Sequence, residues 1–285
     1  MFMKLLPAAA ALLVLSAADA RAQSTPTFVS TADPPPNAEP SRPAVPDDPT
    51  GGAYTSPTLL FTPAAAVPVW TVRAIASLDM QGPVAADRLA TSSGSLGFMP
   101  GLGGEVGLPL GFTVAGGTNW VGGDVSPTPI SGGLSPYAQV RKQLYGDPSG
   151  KGFLLGTSLT YKFVGFQGDP GEMELAFSGQ YRRPRYEVGL QAVVGKDFAT
   201  TDADLEAKAY ALYRVVPQVG VGAAGQARYG VVSQAGQSTY DVVGGGMTSV
   251  TISRWQLGAL GGVTTIGLNQ GQVGGLGEVF GSARF

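Results

Sequence analysis

Two residue types are missing from this chain, cysteine and histidine. Without cysteine there is no disulfide framework, no thiolate metal site and no lipid-modified Cys. Without histidine the commonest general base and the commonest metal ligand are gone. Hydrolysis by a Ser-His-Asp triad fails outright. Charge is also scarce, at 13% Asp, Glu, Lys and Arg against a usual value of about 25%. A net charge of −2 gives no reason to expect nucleic acid. Beyond the first twenty or so residues no apolar run approaches the roughly 18 residues of a membrane helix. Glycine is abundant, with 43 residues, but shows no three-residue period, which excludes collagen. At 285 residues the chain suits one large domain or two small ones.

The beginning, "MFMKLLPAAAALLVLSAADARAQ", has a basic start at Lys4, an apolar stretch from Leu5 to Ala18, and small residues for cleavage after Ala20 or Ala22. That is the form of a secretory signal peptide, assigned to residues 1–22. Residues 23–68 hold 11 of the 22 prolines, and Asp33, Glu39, Asp47 and Asp48 face a single Arg42. Proline lacks the amide donor and fixes φ, so this stretch is expected to be an extended, disordered linker.

From residue 69 apolar and polar residues alternate, which is the mark of a strand. In "EMELAFSGQYR", Met173, Leu175, Phe177, Gly179 and Tyr181 take one face; Glu172, Glu174, Ser178, Gln180 and Arg182 take the other. Twelve such segments follow, at about 69–80, 94–108, 110–121, 133–145, 152–166, 172–183, 184–197, 203–214, 217–231, 239–253, 254–266 and 273–285. Connections after odd segments are long. Those after even segments are mostly tight, such as "RRPR" and "VVPQ". Nine of the ten later prolines sit in or beside connections; Pro100 does not, so a bulge or a miscount is expected there. The pattern predicts an all-β fold: a closed antiparallel transmembrane β-barrel of about twelve strands over residues 69–285.

Aromatic residues test this. With both chain ends on the short-turn rim, Trp70, Tyr181, Tyr186, Tyr213, Trp255 and Phe285 fall near that rim, and Trp120, Tyr229 and Tyr240 fall near the other. Two aromatic belts around an apolar band are what a bilayer selects. The last strand, "GEVFGSARF", ends on Phe285 with Ala283, Gly281, Val279 and Gly277 at alternate positions upstream. In this the chain resembles the bacterial outer-membrane β-barrel family. The resemblance covers residues 69–285. It implies a last strand read by the barrel-assembly machinery, contact with outer-membrane lipid and lipopolysaccharide, and both termini in the periplasm. No subfamily motif names a substrate.

The lumen-charge candidates are Arg73, Arg182, Arg185, Arg228, Arg254, Glu172, Glu174, Glu187, Asp204 and Glu206. Bases gather near the short turns and acids near the long loops. Arg73 with Glu105, Arg185 with Glu187 and Arg228 with Asp241 are the expected pairs. Such charges either grade the field along a narrow pore or simply fill the lumen. "GLGGEVG" at 101–107 lacks the helix and Lys-Ser/Thr of a phosphate loop and reads as strand glycine that lets the barrel wall bend or lets bulky neighbours pack. "DFATTDAD" lacks calcium-loop spacing. No catalytic residue, cofactor or metal site is assigned. The expected function is a narrow channel for small solutes, acidic outside and basic toward the periplasm. The alternative is a non-conducting anchor or scaffold in an envelope complex, with residues 24–57 reaching a periplasmic protein.

Overall fold

A computed structural model of the chain describes residues 56–82, 97–121, 123–124, 133–163, 171–198, 203–232, 240–265 and 273–285. The signal peptide, most of the Pro-rich segment and the long connections lie outside these residues. The strands are β1 (Val72–Gly82), β2 (Gly97–Leu108), β3 (Phe112–Val121), β4 (Gly123–Asp124), β5 (Gly133–Tyr145), β6 (Gly152–Lys162), β7 (Glu172–Arg182), β8 (Tyr186–Asp197), β9 (Ala203–Val216), β10 (Val219–Val232), β11 (Tyr240–Ile252), β12 (Trp255–Thr264) and β13 (Gly274–Arg284). All except β4 are staves of one antiparallel wall. The two-residue β4 pairs with Gly97 and Phe98 of β2.

The wall closes because β1 pairs on both sides, with β2 through Val72↔Val106 to Gln81↔Gly97 and with β13 through Arg73↔Arg284 to Gly82↔Gly275. The twelve staves are those the alternation predicts. At β-strand rise and a tilt near 40°, eleven residues reach roughly 28 Å in height, which matches the apolar span of a bilayer. Pro100 stays within β2. It pairs toward β1, opposite Leu78, while pairing toward β3 starts one residue later at Gly101↔Asn119. The count therefore holds, and the proline sits where the ladder on one side is interrupted.

Burial is inverted relative to a water-soluble protein. Leu102, Phe177, Leu190, Val215, Leu257 and Val263 are exposed, while Thr113, Gln180, Glu187, Gln191, Gln256 and Glu278 are buried. One strand displays the rule: along β7, Ala176, Ser178, Gln180 and Arg182 are buried and Phe177 is exposed. Leu190 is 69% exposed and its neighbour Gln191 is 4% exposed. A wall that hides its amides and shows its leucines is built for a hydrocarbon exterior.

Two of the short turns force non-glycine residues into left-handed backbone. Leu110 and Ser253 take left-handed φ of +62° and +53°. In the longer turn after β5 the Ser149 N–H donates to Asp147 at 2.7 Å and holds that carboxyl below its usual range. The seam ends on the last residue. Val72 and Phe285 exchange backbone hydrogen bonds, Val72 N–H to Phe285 at 3.1 Å and Phe285 N–H to Val72 at 2.8 Å. The terminal phenylalanine is thus the last rung of closure.

Inside the wall, aromatic rings stand over glycines of the next strand. Tyr210 lies opposite Gly189, Phe280 opposite Gly258 and Tyr137 opposite Gly117. A Cβ on Gly189 would fall 2.2 Å from the Tyr210 ring and 2.9 Å from Phe61. The glycine is therefore the floor on which the ring lies. Gly189→Ala is expected to destabilise the barrel by about 1–3 kcal/mol through overpacking. In a Tyr210→Leu background it is expected to cost clearly less, as a double-mutant cycle on urea unfolding would measure.

Candidate functional site: the barrel lumen

The lumen is not empty. Residues 56–68, read from the sequence as the end of the linker, run inside the wall. Proline does bar this stretch from a strand ladder, but its amides find side chains instead. The Gln256 side chain donates to the Ser56 carbonyl at 3.0 Å, and Thr58 Oγ1 and the Leu59 N–H donate to Glu278 at 3.1 and 3.0 Å. The Thr62 N–H then reaches Gln191 at 3.3 Å and the Ala64 N–H reaches Gln180 at 2.7 Å. The Ala66 N–H reaches Gln143 at 3.0 Å and the Val67 N–H reaches Thr113 at 2.9 Å. Trp70 N–H finally bonds Gly107 at 2.8 Å.

These partners trace a path. The segment starts at β12 and β13, crosses to β8 and β7 on the far wall, and returns past β5 and β3 to β2 and β1. It occupies the short-turn half, because Gln256 begins β12 and Thr113 begins β3. The wall is shaped to it: a Cβ at Gly156 would lie 2.5 Å from the Ala64 carbonyl, and one at Gly107 would lie 2.0 Å from that of Pro68. Phe61, 2% exposed, packs with Tyr210, Leu212, Ala224, Met247 and Leu260. Its ring meets Tyr210 edge-on, centroids 4.8 Å apart at 79°.

The ion pairs inside the wall form three groups, with the buried Glu278 held apart by Thr58 and Leu59. Near the short turns Glu105 bridges Arg73 and Arg141, both at 2.6 Å. Across the lumen Glu187 lies 3.6 Å from Arg182 and 3.2 Å from Arg214, and accepts the Tyr210 hydroxyl at 2.6 Å. Each group holds two cations and one anion. Toward the long loops Lys162 pairs with Glu174 and lies 4.0 Å from Glu172; Lys208 meets Glu206 at 2.9 Å; Arg228 pairs with Asp204 and lies 3.9 Å from Glu206. There four acids meet three bases. Beside the crossing segment a cavity of about 450 Å³ remains, running from Arg73, Glu105 and Arg141 near the short turns to Lys162 and Glu174 toward the long loops.

The predicted lumen residues divide accordingly. Arg73, Arg182, Glu187, Asp204 and Glu206 are buried inside the wall, and Arg228, Glu172 and Glu174 are half-buried in its upper cluster. Arg185 and Arg254 do not join them. Both are exposed in short turns, where the chain reverses at the rim instead of facing inward. The Arg73–Glu105 pair forms as expected. Glu187 turns to Arg182 and Arg214 in place of the expected Arg185, and Arg228 turns to β9 in place of the expected Asp241, its register partner on β11.

The outer aromatics explain the rim cations. The Arg254 guanidinium lies 5.7 Å from the Trp255 ring and 5.6 Å from that of Phe285, and Arg183 covers Tyr181 at 5.3 Å. Trp70, Tyr186, Tyr213, Tyr229, Tyr240, Trp255 and Phe285 are exposed on the outside and Tyr181 is half-buried there. The side chain of Trp120 is outside the described residues.

No protein-family model and no curated protein matches this sequence. Solved structures do. The KdgM porin in complex with disordered oligogalacturonate aligns with a TM-score of 0.52 at 11% identity, over 75% of this chain and 99% of that one. The NanC porin aligns at 0.51 and 8% identity, over 75% and 99%. An outer membrane channel from Pseudomonas putida F1 aligns at 0.53 and 12% identity, over 79% and 100%. At these identities the likeness is one of fold: the chain has the architecture of outer-membrane porins and channels.

Proposed function

We propose that this chain is an outer-membrane barrel that conducts small polar solutes through a narrow lumen, acidic toward the long-loop mouth and basic toward the short-turn mouth. The observation that carries the reading is the lining of the closed wall. Hydroxyls, amides and charges point inward along the whole height while the exterior is apolar. Two groups with an excess cation near the short turns and one with an excess anion near the long loops would grade the field along the path. The architecture shared with porins and channels supports conduction rather than catalysis. Both termini would then lie in the periplasm, on the short-turn side.

The crossing segment favours a second reading, a non-conducting anchor whose residues 24–57 reach a periplasmic partner. Planar-bilayer recording separates the two. A chain lacking residues 24–67, its folding checked by the heat-dependent gel shift of barrels, is expected to give steady single-channel steps. Silence from the folded, truncated barrel would favour the anchor.

A further inference from the structure

We propose that residues 58–67 are a reversible plug latched chiefly by one large side chain, Phe61, and that release of this ring clears the lumen. The inference rests on the conduit reading above and names how that conduit is closed. The segment is held in two ways. Its amides are met by Glu278, Gln191, Gln180, Gln143 and Thr113, but water satisfies both partners of such bonds when they separate, so their net hold is weak. Apolar contacts are the other hold: Ala64 and Ala65 pack with Leu154 and Val67 is buried, but Phe61 is the one large ring. Of the large apolar side chains between Thr58 and Pro63 it alone is fully seated: Leu59 is 39% exposed and Leu60 only partly buried.

Its receptor is otherwise unexplained. Tyr210, Leu212, Ala224, Met247 and Leu260 form an apolar patch on the inner face of β9 to β12; the other apolar cluster, around Leu154, receives only the small Ala64 and Ala65. Without Phe61 that patch would face water, so the patch and the ring are matched parts. Withdrawal needs no opening of the wall. The segment enters beside Gln256 and leaves beside Gly107, both at the short-turn mouth, so it slides out the way it came.

The absence of cysteine makes the test clean. Ser178, 4% exposed, donates its hydroxyl to the Thr62 carbonyl at 2.9 Å and is covered by the plug, so Ser178→Cys places one near-isosteric thiol beneath it. In full-length chain in vesicles, labelling by a water-soluble maleimide is expected to be slow for S178C alone. It should rise at least tenfold with Phe61→Ala added, rise less with Phe61→Leu, and stay unchanged with Leu59→Ala. Equal rates with and without Phe61 would overturn the latch, and so would fast labelling of S178C alone. Bilayer recording of the same variants keeps the two claims apart. Faster labelling with no conductance sinks the conduit and leaves the latch. A truncated barrel that conducts beside an F61A variant that labels no faster sinks the latch and leaves the conduit.

Discussion

Glu105→Gln is expected to destabilise the barrel by about 3–5 kcal/mol, the usual cost of removing one partner from a buried ion pair. Glu105 is the only anion between Arg73 and Arg141 in its group, each 2.6 Å away, and its side chain is 2% exposed. The amide keeps the shape and loses the charge, leaving two guanidinium groups facing each other across β1, β2 and β5 with little water to screen them. The check is urea unfolding in lipid vesicles followed by tryptophan fluorescence, the chain having three tryptophans. A variant with Glu105→Leu, Arg73→Met and Arg141→Met is expected to recover most of the loss, because an apolar cluster of similar volume often replaces a buried ion pair without penalty. A midpoint unchanged by Glu105→Gln alone would mean that the lumen solvates these arginines well without their carboxylate.

Leu190→Arg is expected to cost about 2–4 kcal/mol or to block insertion, since the residue sits mid-strand on the exposed face and would carry its charge into hydrocarbon. Gln191→Arg, one residue on, is expected to insert normally because it faces the lumen. It is not silent, however. Gln191 accepts the Thr62 N–H and donates to Ser178 at 2.9 Å, so the larger cation would press on the crossing segment. Insertion into vesicles and the heat-dependent gel shift read the first effect. Equal insertion losses at both positions would reverse the assignment of the two faces.

The wall was legible because hydrocarbon and pairing leave a period of two, and the two aromatic belts mark its apolar side as facing lipid. Every stave, the placing of Leu190 and Gln191, and the Arg73–Glu105 pair followed from it. The charge partners were less legible. Arg228 has a neighbouring strand on each side, and periodicity alone does not choose between Asp241 on β11 and Asp204 on β9. Arg185 and Arg254 were misplaced because alternation ends at a turn, and the last cation of a strand has no inward face to keep. The crossing segment was missed for a different reason. Proline rules speak of ladders, whereas this stretch draws its hydrogen bonds from the glutamines and the glutamate of the wall. A signal was present: no charged residue occurs between Asp48 and Arg73, and a solvated tether has no cause to shed its charge there.

The seam between β1 and β13 joins the two ends of the barrel sequence, so the sheet becomes a ring only when its last strand arrives. A segment that had to pass from mouth to mouth would need to be in place before that moment or be shut out. This one dips in and returns through the same opening. The ring can therefore form first and receive its contents afterward, and assembly of the wall need not wait for, or be trapped by, the piece of chain that fills it.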